Sequence, residues 1–377
     1  MSSFVAWRIL IHEKVRSMLA MAGMSIAVLM IFLQLGFNAS VPKSGLLIYD
    51  HLRFDLLMTS ASYVFQAWSY DFPRRRLYQA LSLPEVESAV PYYQSEASWL
   101  NPEDGVHRDM YVMAFRPEDN IFAVPDIERQ LDVIQRPDTV LVDTITKPIF
   151  GPQTSGRSVE IGNRTIEIGG QYVLGLGFVG LGGAVTSDLN FNRIFPYHSP
   201  ATVNLGLIRL KPGSSGPDLV AKRLREILPA DTQVFTRPEI EATDVEFWQR
   251  HTSTGLVFGF GVLVAIVVGV VILYQTLATQ VTRQLPQYAT LKAMGYTDAY
   301  LSRIVVALGM IMASIAFVPA FAAAMAIYAK VSRMTPMIVE MTATRAIAVF
   351  AISVAMSILS AVVAVRILRR ADPADLF

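Results

Sequence analysis

The sequence predicts a membrane protein of four transmembrane α-helices, with a large external α/β domain between helices 1 and 2. Three observations carry this. Hydrophobic residues make up 53% of the 377 residues and charged residues 17%, where a soluble domain carries about 25% charge; mean hydropathy is +0.40. The apolar excess sits in four uncharged runs, residues 18–39, 255–279, 304–328 and 346–365. Each reaches the roughly 20 residues that a helix rising about 1.5 Å per residue needs to cross about 30 Å of hydrocarbon. Finally, residues 40–254, between the first and second runs, read as alternating strands and helices.

Composition also excludes some functions. Lys+Arg 32 against Asp+Glu 31 gives net charge +1, which leaves no surplus to neutralise nucleic-acid phosphates. The chain has no cysteine, so disulfides, thiolate metal sites and cysteine nucleophiles are ruled out.

Residues 1–17 read as an amphipathic helix at the cytoplasmic membrane interface. Phe4, Trp7, Ile11 and Val15 share one face, and Arg8, His12 and Arg16 another. The alternative is a simple extension of the first span. That span, 18–39, exceeds the roughly 7–15 apolar residues of a signal peptide. Phe37-Asn38-Ala39 is also a poor cleavage site, so the span is expected to be retained. Basic residues set the orientation. Arg8, Lys14, Arg16, Arg283, Lys292, Arg303, Arg366, Arg369 and Arg370 outweigh Lys330, Arg333 and Arg345. Both ends and the 280–303 loop are therefore expected in the cytoplasm, as is the 366–377 tail, with the 329–345 loop outside.

In the 40–254 segment, strands are expected at Phe54–Thr59, Val86–Tyr92, Arg108–Phe115, Thr202–Leu210 and Thr232–Phe235. A hairpin over Val159–Ile168 should turn at Gly162-Asn163. Pro73–Leu83 and Pro217–Leu228 read as helices. Two βαβ-like halves flanking an inserted lobe, about 101–199, account for this order. A last helix, about Pro238–His251, is expected to run directly into the second span, with Thr252–Gly255 able to hinge.

Catalytic and cofactor motifs are weak. Gly175–Gly180 matches G-x-G-x-x-G, but Leu181-Gly182-Gly183 is a poor helix start and no acidic residue stands about 20 positions on. A glycine-rich loop is the better reading. The five histidines, His12, His51, His107, His198 and His251, have no ligand spacing. No P-loop and no G-x-S-x-G elbow occur. No enzyme and no resident cofactor or metal is expected. The spans carry no Asp, Glu, Lys or Arg, which argues against an ion-coupled carrier and an intramembrane enzyme.

Gly255, Gly259, Gly261, Ala265 and Gly269 form a small-residue stripe on the second span, suited either to a dimer interface or to packing within one chain. Pro319 is expected to kink the third span. Pro286 and Gly295 bound a short amphipathic helix with Tyr288, Leu291 and Met294 on one side. It is either an interface anchor or a docking piece for a cytoplasmic partner.

The layout and these residues resemble the permease subunits of MacB/FtsX-type ABC transporters. Leu291-Lys292-Ala293-Met294-Gly295 resembles that superfamily's coupling-helix motif, and Arg369-Arg370-Ala371-Asp372-Pro373 its C-terminal ending. The stretch from Pro286 to Tyr296 is most similar to the DevC subgroup, which serves glycolipid export, with Gln287 where the family usually has Glu. The resemblance implies a MacB/FtsX-like topology with a periplasmic domain, in the bacterial inner membrane. It implies a homodimer in contact with membrane lipid and a separate cytoplasmic ABC ATPase holding ATP-Mg. The ATPase would dock on Pro286, Gln287, Tyr288, Leu291, Lys292, Met294 and Gly295. It further implies a periplasmic membrane-fusion adaptor leading to an outer-membrane channel, and export of a lipid-like or hydrophobic cargo by mechanotransmission. The competing class is a membrane-anchored sensor with an external ligand-binding domain.

Overall fold

A helix over Lys14–Gly45 (α1) opens the described chain. The computed structural model describes residues 14–177, 179–284, 286–287, 290–291, 294–334 and 339–370. Phe4, Trp7, Arg8 and Ile11 lie outside them. Four helices are long and apolar enough to cross a membrane, over Met21–Gly45, Gly255–Arg283, Ala299–Ser332 and Ala343–Val365. The chain divides into two compact units, each described here by itself. One holds these helices; the other is essentially Val41–Thr252.

The second unit begins where α1 continues through Pro42 to Gly45. A short turn of helix, α2 (Leu47–Asp50), follows. In chain order come β1 (Leu56–Ser60), β2 (Phe72–Pro73), α3 (Arg75–Ala80), β3 (Val86–Leu100), β4 (His107–Phe115), α4 (Pro125–Glu128), α5 (Leu131–Ile134) and β5 (Thr139–Asp143). Then come β6 (Ser158–Ile161), β7 (Arg164–Tyr172), β8 (Gly183–Ser187), α6 (Asp188–Ile194), β9 (Thr202–Val203), β10 (Leu205–Leu210), α7 (Pro217–Ile227), β11 (Thr232–Thr236) and α8 (Arg237–Arg250).

Nine strands form one sheet in the order β11-β1-β10-β3-β4-β8-β5-β7-β6. The 15-residue β3 organises it. Its first half pairs with β10, from Val86 to Tyr92, and its second half with β4, from Tyr92 to Leu100. Its far end also pairs with β6, through Trp99↔Ile161 and Leu100↔Glu160. Six strands, β3, β4, β8, β5, β7 and β6, thus close into a ring. The 101–199 segment thus supplies β4, β5, β6, β7 and β8, joined to the flanking strands through β3.

Alternation along the strands fills two cores. In β4, Met110, Val112 and Ala114 join one cluster with Trp99, Ile161 and Ile168, while Tyr111, Met113 and Phe115 join another with Tyr92, Phe122 and Leu207. The β6–β7 hairpin turns at Gly162 and Asn163 with φ of 60° and 61°, the left-handed pair that a two-residue turn requires. Thr236 and Glu239 form a capping box at the start of α8. That helix stops at Arg250, and the next, α9 (Ser253–Arg283), begins only after His251 and Thr252. The junction is thus a helix–break–helix, its break at 251–252 touching the 252–255 stretch where the sequence offers a hinge. At the break, Thr252 Oγ1 bonds back to Trp248 O at 2.6 Å, an alternative partner that competes with helix continuation.

The first unit adds α10 (Asp298–Met334), which contains Pro319, and α11 (Ala343–Arg370). Its core joins Val28, Phe32, Leu273, Leu277, Leu308 and Met356. Polar side chains lace the helices together. Ser25 Oγ donates to Ala316 O at 3.0 Å and Ser360 Oγ to Val270 O at 2.9 Å, and Tyr328 donates to Phe32 O. In an apolar medium each such bond contributes about 0.6 kcal/mol.

Candidate functional site

Between α9 and α10, the described residues make the hydrogen bonds of a helical turn. Thr290 Oγ1 donates to Pro286 O at 3.0 Å, Met294 N to Thr290 O at 3.0 Å, and Tyr296 N to Leu291 O at 3.1 Å. Gly295 sits at φ 91°. A left-handed residue there, with the bond reaching back from Tyr296, is the helix-ending motif that favours glycine. Tyr296 then stacks on Tyr300 at the start of α10, centroids 4.9 Å apart.

The structure sorts the predicted docking residues. Pro286, Gln287 and Thr290 are exposed, and Met294 is 68% exposed. Leu291 is half-buried and packs against the helix-bundle core, so it anchors the turn rather than facing a partner. Tyr288 and Lys292 lie outside the described residues. Among the described residues, Gln287, Thr290 and Met294 face outward, and their spacing of three, four and seven places them together.

The small-residue stripe is divided in the same way. A Cβ on Gly261 would strike Gln34, and one on Gly269 would strike the end of Met356 and lie 3.3 Å from Ala27. Ala265 is buried in the bundle. These three are used within the chain. Gly259 faces open space and Gly255 is half-buried. Sequence reasoning missed Gly36, which leaves room for the Tyr328 ring; the lone glycine of Gln34-Leu35-Gly36 carries no repeat to flag it.

In the α/β domain, the Gly175–Gly180 stretch is a loop wrapped round a carboxylate. Asp143 accepts from Gly175 N at 2.5 Å, Leu174 N at 3.4 Å and Ile145 N at 3.0 Å. Gly175 and Gly177 have φ of 81° and 58°, and a strand, not a helix, follows. The Leu174 and Gly175 amides at the head of the loop are taken by Asp143, whose pKa burial raises despite these bonds.

A second buried carboxylate joins distant segments. Asp244 of α8 accepts from Tyr63 Oη at 2.7 Å, Gln66 N at 3.1 Å and Tyr49 Oη at 3.2 Å. Burial pushes its pKa up to about 7, and the hydrogen bonds pull it partly back. Nothing in the sequence marks Asp244, because its partners lie 178 to 195 residues away. Among the described residues no three His, Asp or Glu side chains converge on a metal position.

Residues 259–373 match the family described as FtsX-like permease C-terminal. No curated protein matches the chain. Among solved structures, the periplasmic region of MacB from Actinobacillus actinomycetemcomitans aligns over 52% of this chain and 94% of its own, at 10% identity and TM-score 0.37. The extracellular domain of the ABC-type transporter YknZ from Gram-positive bacteria aligns over 48% and 99%, at 11% identity and TM-score 0.33. A domain of a permease protein from Porphyromonas gingivalis aligns over 41% and 74%, at 17% identity and TM-score 0.29.

Proposed function

We propose that this chain, whose residues 259–373 match the FtsX-like permease C-terminal family, is the membrane subunit of an ABC-type exporter of the DevC-like kind. It sits in the bacterial inner membrane with the 280–303 loop and both ends in the cytoplasm and the α/β domain in the periplasm. The observation that carries this reading is the capped turn of helix between α9 and α10, anchored by Leu291 and presenting Gln287, Thr290 and Met294 outward. A separate ABC ATPase, which holds the ATP-Mg, docks there. Two copies of the chain work together in the lipid bilayer.

ATP-driven movement is passed to the α/β domain, which drives a lipid-like cargo into a periplasmic adaptor and from there to an outer-membrane channel. Uncharged spans support a mechanical role over a polar pathway. The break at His251-Thr252 is where such movement is transmitted or absorbed. Gln287 makes the ATPase contact by hydrogen bonding, without the charge a glutamate would bring.

Co-expression with candidate ATPase and adaptor subunits, followed by purification through a tag on this chain, tests the reading. An ATPase co-purifies with the wild type and is lost with Met294→Asp, while the variant's thermal midpoint stays unchanged. Absence of any ATPase on a folded chain removes the coupling-helix assignment and favours the sensor class.

A further inference from the structure

We propose that the cleft between the 61–72 loop and α8 binds a cationic amphiphile, a molecule with an ammonium head and an apolar body. The cavity has a volume of about 520 Å³, the size that takes a small organic ligand. Phe65, Trp68, Tyr70 and Trp248 wall it, Tyr111 forms part of its floor and Glu96 stands at its side. Phe65 stacks on Phe247 of α8 at 4.4 Å and meets Trp248 edge-on at 5.5 Å. The aromatic wall is therefore shared between loop and helix.

Two of the walls face water. Trp68 is 56% and Tyr70 48% exposed, and the two rings stack at 6.3 Å. Tyr70 holds φ at 49°, a strained backbone for so bulky a side chain. The turn that carries them is fixed by Trp68 N to Phe65 O at 2.8 Å and Val64 N to Trp68 O at 3.3 Å. Strained backbone and exposed rings serve no core packing, whereas an apolar or cationic occupant would cover them.

Charge selects the head group. Glu96 is the lone carboxylate lining the cleft, and no Lys, Arg or His joins it. The register Glu96↔Tyr111 and Ser98↔Asp109 places Asp109 on the same face of the sheet. Burial and this second carboxylate both disfavour the charge on Glu96, a cost that a bound cation relieves. Among the described residues no cation pairs with Glu96. Much of the polar floor is already engaged: Tyr111 Oη donates to Gln94 Oε1 at 2.7 Å, Gln66 Nε2 to the same atom at 2.8 Å, and Gln94 Nε2 to Ser69 Oγ at 3.0 Å. A hydroxyl-rich head finds few free partners there, and an anionic head is repelled.

The proposal deepens the exporter reading, since an occupant would touch both the loop that Asp244 holds and Trp248 on the same helix. Binding is nevertheless measured without an ATPase, so the two readings fail separately. The full chain in lipid nanodiscs is titrated with hexyltrimethylammonium, hexyl glucoside and hexyl sulfate, followed by tryptophan fluorescence and saturation-transfer NMR. The ammonium binds saturably and about tenfold more tightly than the other two. Glu96→Gln and Trp68→Ala each weaken it by about three- to tenfold, whereas Tyr197→Ala, at a site 79% exposed outside the cleft, leaves it unchanged. Both cleft substitutions are at exposed positions, and unchanged thermal midpoints show that they fold. Equal binding of all three probes, tighter binding of the glucoside or sulfate, or ammonium binding that neither variant moves would overturn the proposal.

Discussion

Asp244 carries the clearest consequence at the scale of one residue. Its carboxyl titrates at about 7 in the folded chain against an ordinary 3.8, because burial disfavours its charge more than Tyr49, Tyr63 and the Gln66 amide favour it. Between these values the folded state holds a proton that the unfolded state has lost. Stability is therefore fully present below the ordinary value and falls as pH rises through the folded one. A difference of one unit is worth about 1.4 kcal/mol. Asp244→Asn removes the ionisable group, so the decline in apparent thermal midpoint between about pH 4 and about pH 7 flattens. Intrinsic-fluorescence melting of the detergent-solubilised chain across that range is the check. A variant as pH-sensitive as the wild type would place the titration elsewhere.

At the scale of elements, α9 presents both its uses side by side. Gly261, Ala265 and Gly269 face neighbouring helices, while Leu256, Phe260, Leu263 and Val267 are exposed, a surface suited to lipid or a second copy. Gly269→Leu is expected to lower stability by about 1–3 kcal/mol through overpacking against Met356. Gly259→Leu, built into open space, leaves the monomer intact. If two copies of the chain associate through that side of the helix, Gly259→Leu shifts native mass spectra toward monomer, and an unchanged dimer removes Gly259 from the seam.

The elements also show what was legible in the sequence. The four spans and the Gly162-Asn163 turn were readable because uncharged length and a left-handed pair are local signals. Strands β5 and β8 escaped because both of their faces are buried. Such strands lose the alternation that marks a half-buried one. The outward face of the turn between α9 and α10 was half readable. Spacing grouped Leu291 with Met294, and only the packing of the bundle separates an anchor from a contact.

For the whole molecule, the absence of cysteine makes introduced pairs unambiguous reporters. A Cβ on Gly269 would lie 3.3 Å from that of Ala27, near the roughly 3.8 Å typical of a disulfide. Ala27→Cys with Gly269→Cys is expected to cross-link within one chain on oxidation, with the flexible end of Met356 moving aside. A monomer-sized band of altered mobility on a non-reducing gel is the predicted result. A dimer-sized band would mean that this stripe meets its counterpart in a second copy instead.

The shared strand β3 also sets how the α/β domain answers a mechanical load. At about 3.4 Å per residue its 15 residues run for about 50 Å, sewn to β10 along one stretch and to β4 and β6 along another. A pull along its axis loads the flanking ladder bonds in shear, many at once, whereas a pull across it would open them one after another. The ring and the open part of the sheet therefore behave under tension as one stiff plate, and a tug at either end is felt at the other with little stretch between.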